Sequence, residues 1–272
     1  MALLSNVSIE GILEYAGLRK IPKYGVAFGG GGARGFAHIG VITAFDRFGI
    51  KPEILSGVSA GSVAAVLYGA GLSPHDMIEC FAESQKFADF TEFSVPTSGF
   101  FRLDKFGKML ESWLPVKNLE DLKIPTIVCA TNFDKGTSVG WCKGEIVPRV
   151  LASCSIPIIF RPMLINGTHY VDGGVLRNLP AWAIRDYCKV LIGSNCSPLN
   201  RTYKYKHSLL DIAERSFQLM SKANVLQDIK LCDYVIMPQA MSHSKTFDLT
   251  SLRRNVTIGY DAACKVLEKI VI

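Results

Sequence analysis

Residues 54–73 read ILSGVSAGSVAAVLYGAGLS and carry no charged side chain. A run of this length is long enough to cross a bilayer. Yet Gly57, Gly61, Gly69 and Gly71, together with Ser56, Ser59, Ser62 and Ser73, make a poor lipid-facing helix. Strand, sharp turn and helix is the better reading. Pro52–Leu55 leads into a buried strand, Gly57–Gly61 turns, and Ser62–Tyr68 leaves as a helix with Val63, Val66 and Leu67 facing inward. Such a turn strains its central residue and crowds the neighbours, which calls for glycine on both flanks. The serine oxygen is then presented above a sheet at a helix N-terminus, where partial positive charge favours a developing anion. Ser59 is the candidate nucleophile.

Upstream, Tyr24–Phe28 is a short apolar strand running straight into Gly29-Gly30-Gly31-Gly32-Ala33-Arg34-Gly35. A helix is expected from Phe36 to Phe48, stopped by Gly49, and the second strand then leads to Ser59. This is one β-α-β unit with a right-handed crossover. Both loops therefore leave the carboxyl ends of neighbouring parallel strands and open on one rim of the sheet. Gly30-x-Gly32-x-x-Gly35 fits a dinucleotide fingerprint, but that site needs an acidic residue after the second strand, where this chain has the serine turn. An oxyanion hole explains both loops together, because side-chain-free amides at a helix N-terminus can converge on one atom. Arg34 either meets a substrate phosphate or holds the loop.

The 272 residues are enough for one well-buried domain. Hydrophobic residues at 49% and charged residues at 20% fit an α/β protein. The net charge of +6 is spread along the chain, which argues against a nucleic-acid face and is compatible with contact at an anionic lipid surface. The N-terminus lacks the basic and apolar regions of a signal peptide, so a cytoplasmic protein with peripheral membrane contact is expected. The eight cysteines show no metal-ligand spacing and read as reduced thiols.

Downstream, Ser73-Pro74 opens a helix to about Ser84. Phe87–Phe106 is an irregular aromatic segment that either covers a site or packs on the core. Helices are expected at Asp104–Leu114, Ile146–Ser153, Ala181–Tyr187, His207–Lys230 and Leu252–Lys269. Strands are expected at Pro125–Thr131, Thr137–Cys142, Thr168–Val171, Lys189–Ile192 and Tyr234–Met237, with a hairpin turn at Asp134-Lys135-Gly136.

Ala27–Ile42 (AFGGGGARGFAHIGVI), Gly57–Gly61, Ala152–Pro157 (ASCSIP) and Tyr170–Pro180 (YVDGGVLRNLP) together resemble the bacterial branch of the patatin-like phospholipase family. The likeness runs from about Tyr24 to Met237, with its motifs between about residues 24 and 187. It implies a three-layer α/β/α sandwich around a mainly parallel central sheet, as a single domain over residues 23–272 after an N-terminal arm over 1–22. It also implies a Ser–Asp dyad of Ser59 as nucleophile and Asp172 as base, with Gly30, Gly31 and Gly32 as the oxyanion hole. Arg34, Gly35, Gly57, Gly61, Gly173 and Gly174 would support these motifs, and neither cofactor nor metal is implied. The substrate would be a phospholipid, lysophospholipid or other lipid acyl ester. A general carboxylesterase and a catalytically idle protein of the same fold are the alternatives.

The rival chemistry is a Ser-His-Asp triad, whose histidine would follow the acid as His207 or His243. Neither has a supporting motif. His38 and His169 read as structural residues, and Asn178 as a side chain satisfying backbone groups.

Overall fold

The computed structural model describes residues 21–82, 87–93 and 99–271. The arm expected before residue 23, and the end of the helix expected to reach Ser84, fall outside these residues apart from positions 21 and 22. Among the described residues, eight strands build the main sheet. They are β1 (Tyr24–Phe28), β2 (Ile54–Val58), β3 (Thr126–Asn132), β4 (Thr137–Trp141), β5 (Met163–Ile165), β6 (Thr168–Asp172), β7 (Val190–Ser194) and β8 (Tyr234–Ile236). Their order is β8-β7-β1-β2-β3-β6-β5, with β4 also paired to β3. Pairing is parallel from β8 through β3. It is antiparallel among β3, β4, β5 and β6. The sheet is therefore mixed, with its parallel part where the two loops emerge.

Side chains alternate across the sheet with the strand period of two. Val26, Phe28, Leu55 and Val128 face one core, packed under α1 (Phe36–Arg47), α2 (Ala60–Gly69), α3 (Pro74–Ala82), α4 (Asp104–Trp113) and α5 (Ile146–Cys154). Ala27, Ile54, Val58, Ile127 and Cys129 face the other, covered by the turns at Leu179–Tyr187 and by Val225 of α6 (Leu209–Ile229). The closing helix α7 (Leu252–Val271) packs along α1. This is the expected three-layer arrangement. Phe28, Leu55 and Leu67 are fully buried, each contributing about 1.5–3 kcal/mol.

The pairing on β3 places the site. β4 pairs with β3 from Val128 to Asn132, so β2 and β6 must share the opposite edge. There β2 runs parallel, ending with Val58 beside Cys129, and β6 runs antiparallel, ending with Asp172 beside Ala130. Two strands thus meet end to end along one edge of a third. The junction is tight: a Cβ on Gly173 would lie 2.9 Å from Val58 Cγ2 and 3.0 Å from the Cys129 carbonyl oxygen.

Some expectations need correction. The uncharged run over 54–73 is strand β2 and helix α2, and no helix among the described residues is long and apolar enough to cross a membrane. Strand β2 runs to Val58 instead of ending at Leu55. The helix expected at Ala181–Tyr187 is two short 3-10 turns, Pro180–Ala183 and Arg185–Tyr187. The hairpin β5–β6 was not expected as a pair; Asn166 and Gly167 at its tip both have positive φ, 49° and 76°. That is the signature of a two-residue turn whose twist matches its strands.

Candidate active site

Ser59 sits between β2 and α2 at φ 53° and ψ −129°, a conformation that L-residues rarely adopt. The chain around it leaves no room to relax. A Cβ on Gly57 would lie 2.4 Å from the Gly61 carbonyl oxygen, and one on Gly61 would lie 2.1 Å from that of Phe28. The Ser59 amide donates to Ser153 Oγ at 2.8 Å, and that hydroxyl in turn donates to the Cys129 carbonyl at 2.6 Å. The Ser59 carbonyl accepts from the Ser62 hydroxyl at 2.6 Å. Backbone bonds are thus used up in holding the turn. Among the described residues the Ser59 hydroxyl has no hydrogen-bond partner within 3.5 Å, yet it lies close enough to Asp172 and to Cys154 to act on both.

Asp172 is fully buried at the end of β6. Its Oδ1 accepts from the Gly174 amide at 2.8 Å, and its Oδ2 has no hydrogen-bond partner among the described residues. Burial pushes its pKa up to about 7, partly offset by the facing Ser59 hydroxyl and by the Gly174 amide. A carboxyl group with one oxygen free and a pKa near neutrality can both take and return a proton.

The glycine loop lies on the same rim, as the β-α-β reading requires. Gly32 has φ 58°, and a Cβ there would lie 2.3 Å from the Thr246 carbonyl oxygen. Gly30 differs from expectation as an oxyanion donor, because its amide already donates to the Asn178 carbonyl at 3.0 Å. The amides of Gly31 and Gly32 have no acceptor among the described residues, and neither does that of Ala60, which follows Ser59. Ala60 was not foreseen, although its place at the N-terminus of α2 marks it.

Arg34 is buried. Its Nε donates to the Gly31 carbonyl at 3.2 Å and its Nη2 to Thr246 Oγ1 at 3.3 Å, so it does hold the loop. Asn178 satisfies backbone groups as expected, donating from Nδ2 to the Gly30 carbonyl at 3.3 Å. Gly35 and Gly173 pack without room for a side chain, against Ala60 and Val58 respectively.

Several supporting residues escaped the sequence. Helix α6 clamps the turn after Asp172: Asn224 Nδ2 and Ser221 Oγ donate to the Gly174 carbonyl at 2.8 and 3.1 Å. One turn on, Arg177 makes a two-pronged bond to Asp228, at 2.6 and 2.7 Å. Asp228 is fully buried, so Asp228→Ala strands a cation and should destabilise the fold by about 3–5 kcal/mol, read by urea denaturation.

No histidine among the described residues hydrogen-bonds Ser59 or Asp172. His38 is buried under the glycine loop, with Nε2 at 2.8 Å from the Gly29 carbonyl and Nδ1 at 2.8 Å from Ser194 Oγ. Burial lowers its pKa to about 4, so it is a neutral structural group. His169 pairs with Asp134 at the surface, and His207 packs on the Tyr205 ring.

An apolar chamber of about 140 Å³ opens at Ser59, walled by Phe36, Val63, Leu67, Met77, Phe90 and Phe106 among others. The described part of the aromatic segment over 87–106 therefore does both things expected of it. Phe90, Leu103 and Phe106 are buried in the core and also line this chamber.

Comparison with known proteins gives consistent results. A family model described as Patatin-like phospholipase matches residues 26–184. A Mycobacterium tuberculosis protein described as an uncharacterized NTE family protein is 32% identical over 162 residues, covering 58% of this chain and 44% of the relative. "Lysophospholipase NTE1" of Candida albicans is 28% identical over 164 residues, covering 57% of this chain and 12% of that protein. The chain thus spans less than half the length of these relatives. Among solved structures, VipD from Legionella pneumophila superposes with a TM-score of 0.63 at 16% identity, over 92% of this chain and 67% of that one, a likeness of fold. The match spans more than half the chain and carries the glycine loop, the serine turn and the Asp172 turn together; this protein belongs to the patatin-like phospholipase family.

Proposed function

We propose that this chain hydrolyses lipid acyl esters through a Ser59–Asp172 dyad. The observation that carries the reading is the buried Asp172 carboxyl, whose unpartnered Oδ2 stands beside a hydroxyl held on a strained turn. Ser59 Oγ attacks the ester carbonyl carbon while Asp172 Oδ2 takes its proton. The carbonyl oxygen becomes an oxyanion, held by the amides of Gly31 and Gly32 with that of Ala60. One such donor is typically worth on the order of 10²–10³ in turnover. The tetrahedral intermediate collapses, Asp172 gives its proton to the departing alkoxide, and an acyl-Ser59 remains. Water then attacks this ester with Asp172 as base, releasing a fatty acid and restoring both groups.

The substrate class follows from the surroundings. The apolar chamber at Ser59 suits an acyl chain, and a phospholipid or lysophospholipid fits the family and the lysophospholipases among its relatives. Peripheral contact with a lipid surface would bring such a substrate to the site. Leu209, Leu210 and Ile212 are exposed at the start of α6, with Lys204 and Lys206 alongside. A cytoplasmic location remains part of this proposal.

A fluorophosphonate probe tests the reading directly. It should label Ser59 in the folded protein and leave urea-unfolded protein unlabelled; absence of labelling in the folded state would sink it. His207→Ala and His243→Ala should keep wild-type turnover on a short p-nitrophenyl ester. Loss of turnover in either folded variant would restore the triad.

A further inference from the structure

Ser59 lines two cavities. The second begins as a narrow neck of about 20 Å³ lined by Gly31, Gly32, Arg34 and Gln218 together with Ile156, Ile159 and Phe217. Arg34, Glu214, Gln218 and Thr246 line both this neck and an outer basin of about 460 Å³. Shared lining therefore connects Ser59, through a narrow constriction, to the outer basin.

The basin is lined by Arg34, Lys206, Arg215 and Lys245, set against Asp211, Glu214 and Asp248. The three acids are already engaged locally. Asp211 accepts from the Tyr203 hydroxyl and from the Lys206 amide. Glu214 accepts from Gln218 Nε2 at 2.9 Å, and Asp248 accepts from both the amide and the hydroxyl of Thr250. The cations are less well matched. Lys245 has no carboxylate partner among the described residues, and Lys206 Nζ reaches Asp211 only at 3.9 Å. Arg34 is buried and hydrogen-bonds to a carbonyl and a hydroxyl, with the Glu214 carboxylate near enough to act on its charge. Cations left with unused donors beside a cavity form a site for a phosphate oxyanion.

We propose that this basin holds the phosphate of a single-chain phospholipid's head group while the acyl chain fills the apolar chamber, so that the scissile ester lies over Ser59. The assignment rests on the hydrolase reading above and deepens it. A second acyl chain would have only the narrow neck of about 20 Å³ and the charged basin to occupy, which favours one-chain substrates. Apart from Arg34, the basin residues lie between 200 and 248, beyond the stretch matched by the family, so head-group preference is carried mainly by the chain's own C-terminal part.

The test compares 1-hexanoyl-glycero-3-phosphocholine with 1-hexanoylglycerol, both used as monomers so that lipid-surface binding plays no part. Wild type should favour the phosphorylated substrate. Lys206→Ala/Lys245→Ala should lower the ratio of the two kcat/KM values about tenfold, chiefly through KM. An unchanged ratio in the folded double variant, or a wild-type preference for the neutral ester, overturns the assignment. Hydrolysis of p-nitrophenyl butyrate reports separately on the serine chemistry, so failure of the hydrolase reading is seen as such. Calorimetric titration of Ser59→Ala with the same lysophospholipid reads the basin without turnover. Adding the two lysine substitutions should weaken that binding about tenfold. Glycerol 3-phosphate binding to Ser59→Ala as tightly as the lysophospholipid would assign the basin to a soluble phosphate and overturn the proposal.

Discussion

Ser59→Ala is expected to lower kcat on a short p-nitrophenyl ester by at least about 10⁴-fold while leaving the fold intact. The size of the loss follows from the chemistry: without the hydroxyl no acyl-enzyme forms, and only ground-state binding and the oxyanion amides remain. The fold survives because the hydroxyl contributes little to it. The turn is held by the Ser59 amide and carbonyl, through Ser153 and Ser62, and alanine keeps both groups. Alanine also bears the same backbone strain, so the stability of the variant should match wild type to within about 1 kcal/mol by urea denaturation. A variant that keeps more than a few per cent of turnover would place the nucleophile elsewhere.

Asp172→Asn should be as inactive as Ser59→Ala, but it should also become progressively more stable than wild type as pH rises. The sign follows from the shift. The folded pKa of about 7 lies above the unfolded value of 3.8, so ionising Asp172 in the folded state opposes folding. The carboxyl group destabilises wild type increasingly between about pH 4 and pH 7, and Asn removes that dependence. The stability difference between variant and wild type should grow by about 4 kcal/mol across this window and level off above it. Wild type alone conceals the effect, because His38 has the opposite slope. Its folded pKa of about 4 lies below its unfolded 6.5, so its contribution is present above pH 6.5 and is lost as pH falls toward 4. In Asp172→Asn the His38 slope should stand alone. In wild type, kcat/KM should rise with pH through an apparent pKa near 7 as Asp172 becomes the free base. A flat profile between pH 5 and 9 would count against its role.

Much of this was legible in the chain. Strands β1 and β2, helix α1 and the shared rim follow from apolar runs broken by glycine at fixed places, because hydrophobic period and turn chemistry are local properties. The tight turns that carry Ser59 and Asp172 were legible through their glycine neighbours. What escaped was set by distant partners. Nothing near Gly30 indicates that its amide is spent on Asn178, and nothing near Asn224 or Asp228 indicates that they clamp a turn some fifty residues upstream. Side-chain bonds across such spans leave no period. The β5–β6 hairpin is a different miss, since Asn166-Gly167 signalled it. The two 3-10 turns at Pro180–Tyr187 were masked by an apolar run that packs on β2 and β3 whatever its helix type.

The end-to-end meeting of β2 and β6 makes β3 a common ruler for the proposed dyad. Val58 is registered against Cys129 and Asp172 against Ala130, which are consecutive residues. The separation of the proposed nucleophile and base is thus measured off by main-chain pairing on a single strand. A slip of β6 by one residue would move Asp172 by about 3.4 Å and turn its side chain to the other face of the sheet, so misalignment is all or nothing. Basin residues such as Lys206 and Lys245, which lie off that ruler, can vary in sequence without disturbing the spacing.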